Sequence, residues 1–206
     1  SGNLAGTDGG AIFADGEGDV IVSGSTFTDN HALSDGGAVL SLSPVGISSS
    51  TLSGNTANRG GAVSSSSNVT ISTNSILNDN DADSDGGAVW TTGSVNVSSS
   101  TLSGNETTGA GGALWIDGTS TIENSTFSSN LAEQGGGGAI RGYGTITATK
   151  STFSNNKAFE GGAIYGFRNV LGGRVEVSNS TFIRNEANTP VSEGGAISAY
   201  DGEVMF

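Results

Sequence analysis

The chain has 206 residues, of which 33% are hydrophobic and only 13% charged, with 35 glycines, two prolines and no cysteine. A net charge of −13 carried with only seven Lys and Arg leaves no basic stripe for nucleic acid or an anionic membrane surface, and no disulfide framework is possible. The apolar runs reach about four residues, far short of a membrane span.

Ser1-Gly2-Asn3 copies Ser53-Gly54-Asn55 and Ser103-Gly104-Asn105, so the chain opens in mid-coil. Gly-Gly-Ala plus an aliphatic residue comes next, at Ala11, and returns at Ala38, Ala62, Ala88, Ala113, Ala139, Ala163 and Ala196. A short alternating strand follows at Val20/Val22, then Thr26-Phe27, then Asn30. The asparagine recurs as Asn55, Asn80, Asn105, Asn130, Asn156 and Asn185, at intervals of 25 residues four times and then 26 and 29. Such an internal period is the mark of a solenoid, and it rescues a composition that would otherwise read as disordered low complexity.

Each unit supplies three inward-facing pieces. Val95/Val97 has counterparts in Val20/Val22, Val45/Ile47, Val69/Ile71, Ile146/Ala148 and Val175/Val177. Leu102 matches Phe27, Leu52, Leu77, Phe127, Phe153 and Phe182, and Leu114 matches the aliphatic after every Gly-Gly-Ala. Alternation over a few residues gives short strands, and Gly-Gly once per period breaks any helix. The expectation is an all-β, right-handed parallel β-helix of about eight coils, three short strands per coil, forming one domain over residues 1–206. Asn3, Asn30, Asn55, Asn80, Asn105, Asn130, Asn156 and Asn185 are expected to form a structural ladder at one corner, taking the left-handed conformation it needs. Ser25, Ser50, Ser75, Ser100, Ser125, Ser151 and Ser180 form a second ladder.

The pairing of Gly-Gly-Ala-Ile/Leu/Val with Phe-x-x-Asn resembles the repeats of the polymorphic outer membrane proteins, autotransported surface adhesins first described in chlamydiae. The second phrase is complete at Phe27–Asn30, Phe127–Asn130, Phe153–Asn156 and Phe182–Asn185, while Leu52, Leu77 and Leu102 replace Phe elsewhere. The resemblance implies a cell-surface or extracellular location, with the export signal outside this chain, and an adhesive or structural role.

Candidate sites follow from register. The residue two beyond each Gly-Gly-Ala alanine faces outward, giving Phe13, Leu40, Ser64, Trp90, Trp115, Arg141, Tyr165 and Ser198, a line that meets a glycan or protein partner or packs on itself. Asp81, Asp83 and Asp85 spell Asp-x-Asp-x-Asp-Gly, the start of a calcium loop, although Thr92 stands where the bidentate Glu belongs. No other cofactor is expected. Five glycosylation sequons, at Asn68, Asn96, Asn105, Asn124 and Asn179, match chance in a Ser/Thr/Asn-rich chain.

Parallel β-helices also host polysaccharide lyases and hydrolases, so a carbohydrate-binding or -cleaving solenoid is the alternative. Against it, Asp15, Glu17, Asp19, Asp29, Asp79 and Glu133 scatter over turns and His31 is alone, so no enzyme is expected. The chain closes on Glu203-Val204-Met205-Phe206, complementary to its opening. Leu4, Val204 and Phe206 are thus candidates for an end-to-end interface, filled either by a longer parent chain or by head-to-tail self-association into a filament.

Overall fold

The computed structural model describes residues 1–167, 174–188 and 194–206. Their strands stack into four parallel sheets, three of eight strands and one of seven. The first sheet starts with Leu4–Ala5, the second with Ile12–Ala14, the third with Val20–Ser23 and the fourth with Thr26–Thr28. Each strand pairs with its equivalent one coil away, as in Val63 with Val89 and Val89 with Leu114. One circuit therefore holds four strands where three were expected.

The unexpected strand directly follows each ladder asparagine. It is only two residues long in several coils, as at His31–Ala32 and Leu131–Ala132, and contributes a single small inward side chain. Ala32, Ala57, Ala82, Ala132 and Ala158 are buried there, with Thr107 taking the place in one coil. The other three sheets supply the aliphatic columns, and Val39, Val45, Leu52, Val63, Ile71, Leu77, Val89, Leu114, Phe127 and Ile140 are almost wholly removed from water. Phe127, Phe153 and Phe182 stack face to face inside, at centroid distances of 5.1 and 4.8 Å.

The asparagine ladder forms as expected, but its bonds go further than side chain to side chain. Asn105 Nδ2 donates to Asn130 Oδ1 at 2.9 Å and to the Leu77 carbonyl at 3.0 Å, while its Oδ1 accepts from Asn80 Nδ2 and the Asn80 backbone N–H. Both amide hydrogens and the oxygen are satisfied at zero exposure, which makes the ladder a set of obligatory buried bonds. The left-handed residue at this corner is not the asparagine. It is the residue before it, Asp29, Gly54, Asp79, Gly104, Ser129, Asn155 or Arg184, each with φ between 51 and 62°. The turn is thus made one position before the ladder asparagine.

The serine ladder works through the backbone. Ser25, Ser125 and Ser151 N–H groups donate to the Oγ of the next coil's serine, and each Oγ donates to a carbonyl two residues back. In the coil where Val69/Ile71 is offset by one residue from its asparagine, Thr73 and Asn74 are both left-handed, and this absorbs the extra residue. Val69 consequently stays in register with Val45 and Val95.

At the third corner the two glycines have separate reasons. Gly86 sits at φ +68°, a region that β-carbons disfavour. Gly87 has no such need, yet a Cβ on it would lie 2.1 Å from the Gly112 carbonyl oxygen of the next coil and 2.4 Å from that of Glu106. Along the column of second glycines successive coils leave no room for a Cβ, and the buried alanines follow it immediately.

Candidate binding face

Sheet register places the expected outward line in one column: Phe13 pairs with Leu40, Leu40 with Ser64, Ser64 with Trp90, Trp90 with Trp115, Trp115 with Arg141, Arg141 with Tyr165 and Tyr165 with Ser198. Outward does not mean exposed. Phe13 is 54% exposed, but Ser64, Tyr165 and Ser198 are buried, and Leu40, Trp90, Trp115 and Arg141 are half-buried. The reason is the corner chain that precedes each glycine pair and runs beside the column. Where that chain carries Gly136, the Tyr165 ring lies against its backbone, so close that a Cβ there would be 2.6 Å from Tyr165 Cγ. Where it carries Arg59, the guanidinium covers Trp90 at 4.3 Å from the ring centroid.

A second outward column, not among the expected site residues, stands two residues further along the same strands or just beyond them. Tyr143, Phe167 and Tyr200 continue the line of tryptophans, joined by ring contacts from Trp115 to Tyr143 at 5.4 Å, Tyr143 to Phe167 at 5.4 Å and Phe167 to Tyr200 at 5.3 Å. The period of two along a strand was the available signal. With Trp90 stacked on Trp115 at 5.3 Å and 15°, one ribbon runs from Arg59 to Tyr200. Arg59 is anchored by a two-pronged contact to the buried Asp35 carboxylate, with Nε donating to Oδ1 at 3.0 Å. That hydrogen bond is also the main cause that raises the Arg59 pKa above its ordinary value.

Stacking sets what the ribbon can offer. Trp90 has Arg59 over its ring and Trp115 stacked against it, so its faces are taken up within the ribbon. Tyr143 differs, being turned 61 and 62° from its two ring neighbours. The Arg141 guanidinium lies beside it, 4.9 Å from the Tyr143 and Tyr165 centroids and 5.5 Å from that of Phe167.

Residues 3–110, more than half of the chain, match the family model described as the right handed beta helix region. The chain belongs to the right-handed β-helix family. Residues 124–143 and 150–166 of this β-helix match the Chlamydia polymorphic membrane protein repeat, and the repeat together with the fold points to a surface-associated β-helical protein. No curated protein and no solved structure matches the chain.

The remaining expected site residues lie elsewhere on the β-helix. Asp81, Asp83 and Asp85 share the extended strand Asp81–Asp85 instead of curling into a loop. Asp85 Oδ1 accepts the Ala110 N–H at 2.9 Å, and among the described residues no group of three His, Cys, Asp or Glu is placed to hold a metal ion. Residues two apart in an extended strand stand on one face but about 6.6 Å from each other, and the irregularity between Ala82 and Asp85 interrupts even that row, so the three carboxylates do not converge. Asp81 lies in register with Glu106, and both carboxyls are pushed above their usual range, first by burial and then by neighbouring acids that include Glu133. His31 Nδ1 is 2.6 Å from Thr56 Oγ1. Leu4 and Phe206 are 73% and 92% exposed at opposite ends of the stack, and Val204 pairs with Val175. The sequon asparagine Asn105 is locked in the ladder.

Proposed function

We propose that this β-helix is an extracellular, non-catalytic rod that adheres to a partner through the face of the second sheet. The observation that carries the reading is the ribbon from Arg59 through Trp90, Trp115 and Tyr143 to Tyr200. Trp, Tyr and Arg are the residues that dominate interface energetics, and here they are gathered along one side of a chain otherwise coated with Ser, Thr and Asn. Their mutual stacking fixes their rotamers in advance, which lowers the ordering cost of binding. A non-catalytic role is supported by the engagement of His31 with Thr56 and of Asp85 with a backbone N–H, which leaves each in a structural bond.

The test is adhesion of the whole chain to arrays of matrix proteins and glycans, comparing wild type with Trp90→Ser/Trp115→Ser. Serine already occupies this column at Ser64 and Ser198, so the fold tolerates it. Binding by the wild type that weakens at least tenfold in the double variant is expected. Equal binding by both, or none by either, would refute the proposal.

A further inference from the structure

Among the described cations, Arg59, Lys150, Lys157 and Arg174 each face a carboxylate. Arg141 does not. It is half-buried, its Nε is shut off from water with no hydrogen-bond partner, and among the described residues its one polar contact is Nη2 donating to Tyr143 Oη at 3.0 Å. A guanidinium that gives up water normally recovers the loss through acceptors, and here the Nη edge meets only Tyr143 Oη among the described residues. In a chain of net charge −13, a half-buried cation that no carboxylate faces among the described residues is the exception.

We infer that Arg141 is a receptor for a single carboxylate carried by an acidic sugar, an inference that rests on the adhesive reading of this face and names its ligand. The guanidinium fork matches a carboxylate in two parallel hydrogen bonds. With Nε turned inward, the Nη edge makes the contact. Tyr143 Oη accepts from Arg141 and keeps its own proton to donate to a sugar hydroxyl. The half-buried Tyr143 ring, with the guanidinium over it at 4.9 Å, adds an apolar border to the same site for the C–H groups of a pyranose. The protein's charge selects further: a polyanion is repelled by the surrounding field, whereas a singly charged saccharide is not. A terminal sialic acid or a lone uronic acid therefore fits, and a long acidic polysaccharide does not.

Both tryptophans of the chain lie in the ribbon, so intrinsic tryptophan fluorescence reports on this face alone. The whole chain is titrated, by fluorescence and by calorimetry in parallel, with sialyllactose, with a glucuronate-containing disaccharide, with neutral lactose and with acetate. Saturable binding near ~1 mM is expected for one or both acidic sugars, with lactose and acetate at least tenfold weaker. Saturation by only one acidic sugar identifies the source of the carboxylate. Arg141→Gln and the charge-retaining Arg141→Lys both lose the binding, the second because an ammonium lacks the fork. Tyr143→Phe weakens it severalfold, and circular dichroism verifies that each variant is folded.

Equal binding of lactose, equal binding of acetate, or full binding by folded Arg141→Lys would overturn the inference. So would an absence of acidic-sugar binding in a chain that still adheres through Trp90 and Trp115, an outcome that leaves the adhesive reading standing.

Discussion

Ser120 occupies a position that valine or isoleucine holds in the neighbouring coils. It pairs with Val95 on one side and Ile146 on the other, is 2% exposed, and its Oγ has no hydrogen-bond partner. Replacing it with valine removes a buried unpaired hydroxyl, worth ~1–3 kcal/mol, and adds apolar burial worth up to ~1.5 kcal/mol. Because the sites above and below already hold branched side chains, little overpacking opposes the gain, and Ser120→Val is expected to stabilise the chain by about 2 kcal/mol. For a chain of this length that corresponds to a rise in Tm of about 4–8 °C. Ser120→Ala isolates the hydroxyl and should give roughly half the effect. Urea and thermal unfolding of the whole chain, followed by far-ultraviolet circular dichroism, measure both. An unchanged or lowered midpoint for Ser120→Val would show that the hydroxyl is satisfied or that the column cannot accept two methyl groups, and the column argument would fail.

Three further variants probe other parts of the stack. Asn105→Ala strands the amide of Asn80, the carbonyl of Leu77 and the Oδ1 of Asn130 on its Nδ2 side, so a loss of about 3–5 kcal/mol is expected in the same urea assay. Gly87→Ala drives a Cβ to 2.1 Å from a backbone oxygen and should prevent folding or lower the midpoint sharply, whereas Gly46→Ala meets only Ile21 Cδ1 at 3.4 Å and should be nearly neutral. Glu106 and Asp81 have carboxyl pKa values raised in the folded chain, so the folded state holds protons that the unfolded state has lost. Their contribution to stability therefore falls as pH rises from the ordinary carboxylate range through the raised values. Glu106→Gln should flatten that part of the urea-midpoint profile and raise the midpoint at pH 7, and identical profiles for variant and wild type would refute the assignment.

The columns of the fold could be read from the sequence because a solenoid devotes one residue type to one place in every coil. Phe or Leu three residues before the asparagine, and Ile, Leu or Val after Gly-Gly-Ala, are visible for that reason. The fourth strand was hidden by its brevity: two residues such as His31–Ala32 cannot show an alternation, and its only trace is the alanine two positions after most ladder asparagines. The left-handed corner lies one residue earlier than expected, and it was hard to see because that position varies among Asp29, Gly54, Ser129, Asn155 and Arg184, so no single residue type marks it. On the binding face, register was legible and exposure was not. Whether Tyr165 or Trp90 sees water depends on Gly136 or Arg59 in the coil before, a relation between side chains more than two dozen residues apart. Tyr143, Phe167 and Tyr200 stand at the next outward position, where the earlier coils carry Asp15, Leu42, Ser66, Thr92 and Asp117, so no repeated residue type marks the column.

Because strand partners lie one coil apart, the hydrogen bonds that join the coils run along the axis of the rod. Tension applied between its ends does not shear a whole sheet at once. It peels the terminal coil, whose bonds give way in turn while those behind remain unloaded. Each coil freed in this way pays out a tether of about 80 Å, at ~3.3–3.6 Å per extended residue. A rod of this construction lengthens in steps under load, and each step ends at the next buried asparagine, where three or four bonds must yield together.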